Sequence, residues 1–172
     1  MTAPLALPAL MWGAPDAPRR ALLIHGLGSS GALMWRLGTA LAEAGWSSTA
    51  VDLRGHGSAP RALDYTIDAF ASHVAATTAP HGAPWDLVIG HSLGGAAAVV
   101  ASAAHPTWAR RLVLIDPGIV VLGSDAEAVR AGQEQAFADH RAGAGRAAHP
   151  DWQPRHIRLK VGAAARASQR AT

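Results

Sequence analysis

Short unbroken apolar runs alternate along the chain with longer segments whose apolar positions recur every three or four residues. The runs are residues 21–25 (ALLIH), 48–52 (STAVD), 85–89 (WDLVI) and 111–115 (RLVLI). Between them, Leu33, Leu37, Leu41 and Ala44 fall at helical spacing with Gly45 at the stop, and Ile67, Phe70, Ala71 and Val74 follow i, i+3, i+4, i+7. Residues 94–104 form a small-residue helix that ends before Pro106. Continuous apolar runs are what strands buried on both faces require, so the pattern predicts a mostly parallel sheet with crossover helices on both faces, a three-layer α/β fold. Residues 5–13 supply a short hairpin or an edge strand. Beyond Pro117 the alternation stops. Ser124 and Glu127 frame a capping box that opens a helix to about His140, Gly143 and Gly145 break the chain, residues 149–154 read as a loop, and a further helix begins at Arg155. The division expected is a core over residues 1–117 and an incomplete helical cap over 118–172.

Composition narrows the class. The chain has 172 residues, 49% of them hydrophobic, as expected of a soluble globular domain rather than a disordered chain. Its most apolar run, residues 96–104, falls far short of the roughly 20 residues that span a bilayer. Pro4 and Pro8 interrupt the N-terminal apolar stretch, which also lacks a basic leader, so no secretory signal is expected. The absence of cysteine excludes disulfides, zinc–thiolate sites and a cysteine nucleophile, and fits a reducing, cytoplasmic location. The net charge of +3 is unevenly spread. Residues 1–140 hold 8 basic and 11 acidic residues, whereas residues 141–172 hold 7 basic and 1 acidic. A basic tail can bind nucleic acid or an acidic membrane surface; the reading preferred is a solvated helix face, with no nucleic-acid partner.

The sharpest chemical signal is Gly90-His91-Ser92-Leu93-Gly94-Gly95, which follows an apolar strand and opens a helix. A serine on so tight a turn is held in strained geometry, and glycines two before and two after it permit the close approach. The turn lifts the Ser92 hydroxyl from the sheet's carboxyl edge and aims the positive end of the next helix at it. The Leu93 N–H is then placed to hold an oxyanion. His25-Gly26-Leu27-Gly28 ends an earlier strand and offers the Leu27 N–H as a second donor, and residues 52–57 (DLRGHG) leave a third strand end. In order and spacing, these motifs and the LVLIDPG segment resemble the α/β-hydrolase superfamily, in its esterase, lipase and C–C hydrolase-like branch, from about residue 9 to 122. The resemblance implies Ser92 as nucleophile, Leu27 and Leu93 as oxyanion donors, an ester, thioester or similar acyl substrate, and no cofactor or metal.

The remaining triad members are less marked. Asp116, at the end of the 111–115 run, is the candidate acid; the alternative is that it caps the following turn. Nine histidines are present. His81 and His105 lie at the wrong ends of their elements, His73 lies within a helix, and His25, His56 and His91 belong to loop motifs. His140, His149 and His156 follow the last strand, and nothing singles one out, so the base is unassigned. In members of the superfamily the chain returns to the sheet after the cap, and those strands bring the usual acid and the base. No such strands are legible after residue 123, so a truncated hydrolase is expected, whose 111–115 edge is open to self-association. A hydrolase relic or binding module without a base is the alternative. A third reading comes from residues 26–31, which match G-x-G-x-x-G with Asp52 downstream, a dinucleotide-binding fingerprint; it leaves the Ser92 turn unexplained. Trp35, Phe137 and Trp152 are candidates to line a pocket, with core packing the preferred role for Trp35.

Overall fold

The computed structural model describes residues 6–79, 82–118, 131 and 151–168. The expected helix opening at Ser124, together with Phe137, His140, His149 and His81, lies outside the described residues. Five strands, β1 (Ala9–Trp12), β2 (Arg19–Ile24), β3 (Trp46–Val51), β4 (Leu87–His91) and β5 (Leu112–Ile115), form one sheet in the order β1-β3-β2-β4-β5. The pairs β2–β3, β2–β4 and β4–β5 are parallel, and β1 joins β3 antiparallel as an edge strand. The helices are α1 (Trp35–Glu43), preceded by a 3-10 turn over Gly31–Met34, then α2 (Ile67–Ala75), α3 (Leu93–Ala104) and α4 (Pro154–Ser168).

Successive residues of β2 point to opposite faces, and both faces are covered. Leu22 and Ile24 pack with Val51, Val88, Phe70, Val74 and Ala97 under α2 and α3. Leu23 faces the other way, joining Ala50 and Ile89 beneath Met34, Leu37 and Leu41 of the α1 side. Four fully buried residues in a row, Ala21 to Ile24, of which Leu22, Leu23 and Ile24 are each worth about 1.5–3 kcal/mol when withdrawn from water, explain why β2 reads as an unbroken apolar run and sits in the sheet interior.

Several strand boundaries differ from the sequence pattern: β2 already begins at Arg19 and β4 runs on to His91. The third strand starts two residues early, at Trp46, because Gly45 (φ +79°) turns the chain immediately after α1. The fourth starts two residues late. Trp85 precedes the strand, joined to the 108–110 segment by an isolated parallel bridge to Ala109; it is fully buried and donates its indole N–H to the Thr77 carbonyl at 2.9 Å, while Asp86 is held by arginines at the sheet's edge. The fifth strand has a partner on one side only among the described residues, and Val113 and Ile115 are each 44% exposed. Trp35 is not part of either core cluster. It lies half-buried, with the Arg155 guanidinium of α4 stacked 4.6 Å from its ring centre, so it serves as the seat of α4.

Candidate active site

Register brings the motif loops together. Ile24 pairs with both Val51 and Gly90, and His91 pairs with Ile115. The segments that begin at His25, Asp52, Ser92 and Asp116 therefore leave the sheet side by side at its carboxyl edge.

Ser92 occupies a one-residue turn between β4 and α3, at φ 49° and ψ −117°. Its N–H donates to the Ile115 carbonyl at 3.0 Å, and its carbonyl accepts the Ala96 N–H at 3.0 Å, so the turn is tied to β5 in front and to α3 behind. The glycines around it are required by space. A Cβ on Gly90 would stand 2.7 Å from the Gly94 carbonyl oxygen, and one on Gly94 would stand 2.5 Å from the carbonyl oxygens of both Ile24 and His25. The first turn of α3 lies directly over the end of β2, and its leading N–H groups have no intrahelical acceptor. Ser92 is half-buried at the head of this helix, where the positive end of the helix dipole lies.

The loop after β2 lies against the serine. A Cβ on Gly26 would stand 3.1 Å from the Ser92 Cβ and 2.8 Å from His91 Nδ1. Leu27 follows, 42% exposed, and Gly28 (φ +65°) turns the chain away. Leu27 and Leu93 thus carry N–H groups on the two backbone segments that flank Ser92.

His25 fixes this loop. The ring is fully buried; Nδ1 donates to the Gly26 carbonyl at 2.7 Å, and Nε2 accepts the Leu53 N–H at 3.1 Å. That pair of bonds requires the neutral Nδ1–H tautomer. Burial, reinforced by the neighbouring His56, lowers the His25 pKa to about 4 against the opposing pull of the Gly26 carbonyl and Asp52. His25 is therefore a neutral brace between two loops. His56 is also buried, its ring 5.2 Å from that of His25 and its Nδ1 2.9 Å from the Arg54 carbonyl.

Asp52 organises the loops rather than facing outward. Oδ1 accepts the Gly31 N–H at 2.7 Å, and Oδ2 accepts the N–H and hydroxyl of Ser58 at 2.8 and 2.9 Å. In a dinucleotide site the acid would turn to a ribose. Here the acid and the last glycine of the G-x-G-x-x-G match bond to each other.

Asp116 follows β5 immediately beside the serine turn, exposed and at φ +44°. Ser92 and Asp116 are the two non-glycine residues with positive φ among the described residues, and they stand at the ends of neighbouring strands. Among the six described histidines, none hydrogen-bonds the Ser92 hydroxyl. His91 is exposed, and His105 ends α3 at the opposite edge. His156 lies on α4 with its ring centre 4.6 Å from that of Trp152, so these two candidates, one for base and one for pocket wall, pack on each other. Among the described residues no group of acids and histidines is placed to hold a metal.

The sequence profile of the alpha/beta hydrolase fold family matches residues 22–158. The chain belongs to the α/β-hydrolase fold family. It is 42% identical over 110 residues to the lipase LipV of Mycobacterium tuberculosis, covering 64% of this chain and 41% of that protein. It is likewise 42% identical over 100 residues to the pimeloyl-[acyl-carrier protein] methyl ester esterase of Neisseria meningitidis, covering 58% of this chain and 37% of that one. The chain thus spans about two fifths of the length of these relatives. Among solved structures, a carboxylesterase of the thaumarchaeon Nitrososphaera gargenis superposes with a TM-score of 0.73 at 18% identity, over 92% of this chain and 62% of that one, a likeness of fold.

Proposed function

We propose that the protein is a serine hydrolase of ester, thioester or similar acyl bonds, with Ser92 as nucleophile. The observation that carries this reading is the backbone of Ser92. A non-glycine residue at φ 49° costs of order 1–3 kcal/mol, and the turn is held in place from β5, α3 and the close-packed glycines. Such strain is retained where it serves a purpose, and here it presents one hydroxyl at the positive end of a 12-residue helix.

In the proposed reaction the Ser92 Oγ attacks the acyl carbonyl carbon and a base takes its proton. The N–H groups of Leu27 and Leu93 hold the oxygen that becomes negative. Collapse expels the alcohol or thiol, which takes up that proton, and water hydrolyses the acyl-serine by the same route. Asp116 is assigned as the acid that orients the base, supported by its position one strand from Ser92. The base stays unassigned, since no described histidine hydrogen-bonds the Ser92 hydroxyl and nothing singles out His140, His149 or His156. The substrate class is supported by the named activities of LipV and of the pimeloyl-[acyl-carrier protein] methyl ester esterase, a lipase and a methyl ester esterase. The partner is accordingly a small-molecule ester. Nucleic acid is not invoked, and the absence of cysteine is compatible with the cytoplasm.

A binding module that has lost turnover is the second reading, favoured by the lack of any described histidine on the Ser92 hydroxyl. Hydrolysis of p-nitrophenyl butyrate separates the two. The hydrolase reading expects turnover that Ser92→Ala reduces by about 10³-fold or more. Turnover equal in the wild type and Ser92→Ala, or turnover no faster than the buffer blank, supports the binding module instead.

A further inference from the structure

The sheet edge opposite Ser92 carries charge that acyl hydrolysis does not use. Strands β3, β2, β4 and β5 begin there side by side, and a cavity of about 490 Å³ opens between Arg19, Trp46, Asp86, Arg110 and Arg111. Residues 1–140 are acidic overall and contain 8 basic residues, yet four of these, Arg19, Arg20, Arg110 and Arg111, converge on this edge. They come from the starts of two strands more than 90 residues apart in sequence, so the fold, not local composition, gathers them.

One carboxylate answers them among the described residues. Asp86 Oδ2 accepts the Arg20 N–H at 2.9 Å and lies 3.7 Å from Arg20 Nε, while Oδ1 lies 3.4 Å from Arg110 Nε. Arg19 is fixed by other means: Nη2 donates to the Ala44 carbonyl at 2.6 Å, and the guanidinium lies 4.8 Å from the centre of the Trp46 ring. No described carboxylate pairs with Arg19 or Arg111. The cavity wall therefore holds three guanidinium groups against one carboxylate, and one of the three is already immobilised on an aromatic face. Collecting like charges is unfavourable unless a counter-charge joins them, and the guanidinium fork suits phosphate oxygens in particular. The volume falls within the roughly 300–1,000 Å³ of small-molecule sites.

We propose that this basal cavity binds a phosphate-bearing small molecule, independently of Ser92. Inorganic pyrophosphate titrated into the full chain by isothermal calorimetry, at fixed ionic strength, is the test. Saturable binding with one site per chain and a Kd below about 1 mM is expected. Arg111→Gln, at an exposed position without an ion-pair partner among the described residues, weakens it at least about tenfold, and Arg19→Gln/Arg111→Gln abolishes it, while Ser92→Ala binds as wild type. Circular dichroism confirms that the variants are folded, and should the double variant not fold, Arg111→Gln alone decides. Absence of saturable binding, affinity unchanged by Arg111→Gln, or loss of binding in Ser92→Ala overturns the assignment.

Discussion

His25, which the sequence marks only as part of a loop motif, braces two loops through its two ring nitrogens. Its place before Gly26 marks it as part of the loop motif, but its partner Leu53 is 28 residues away and becomes visible only when β2 and β3 pair in register. Because the folded pKa is about 4 and the unfolded value is near 6.5, the unfolded chain binds more protons between these limits. The neutral brace is fully effective above pH 6.5, and its contribution is lost as pH falls towards 4, by about 3 kcal/mol in all. Urea unfolding at pH 7 and pH 4.5 measures this. Wild type should lose stability across the interval, and His25→Gln, weaker at pH 7, should lose clearly less. Equal losses in both would place the acid sensitivity elsewhere. The tight turn at Ser92, by contrast, was legible, since strand, glycines, serine and helix are contiguous and their geometry is local. The base was not, because a base reaches the serine through long-range folding that leaves no periodic mark.

At the level of elements, the strand–turn–helix unit depends on glycine for space more than for flexibility. Gly90→Ala would drive a methyl group to 2.7 Å from the Gly94 carbonyl and from the Gly95 Cα, both of them backbone that cannot swing aside. A loss of about 1–3 kcal/mol is expected, read as a lower urea midpoint at unchanged slope, together with weaker modification of Ser92. A variant as stable and as reactive as wild type would mean that the turn has slack. Element order and sheet class followed from the alternation of apolar runs with helical segments. The ends of strands did not, because Trp46 and Asp86 are placed by a left-handed glycine and by arginines from other strands. The basal arginine cluster was illegible for the same reason: residues 19–20, 86 and 110–111 meet only when three strands, β2, β4 and β5, are aligned.

At the scale of the whole molecule, the basic C-terminal segment has a structural explanation in part. Arg155 packs on Trp35, and burial lowers the Lys160 pKa from its usual value, so α4 spends two of its cations on packing. Arg155→Ala should cost about 0.5–1 kcal/mol and accelerate amide exchange in α4 while leaving β2 and β4 protected. Uniform acceleration across the sheet would show instead that α4 is integral to the core. The central claim concerns Ser92, and covalent labelling tests it most directly. The folded chain is incubated with a fluorophosphonate probe and the modified peptide is identified by mass spectrometry. The account predicts one adduct, on Ser92, absent from Ser92→Ala and from heat-unfolded protein. No adduct on a folded sample, or an adduct that persists in Ser92→Ala, would contradict it.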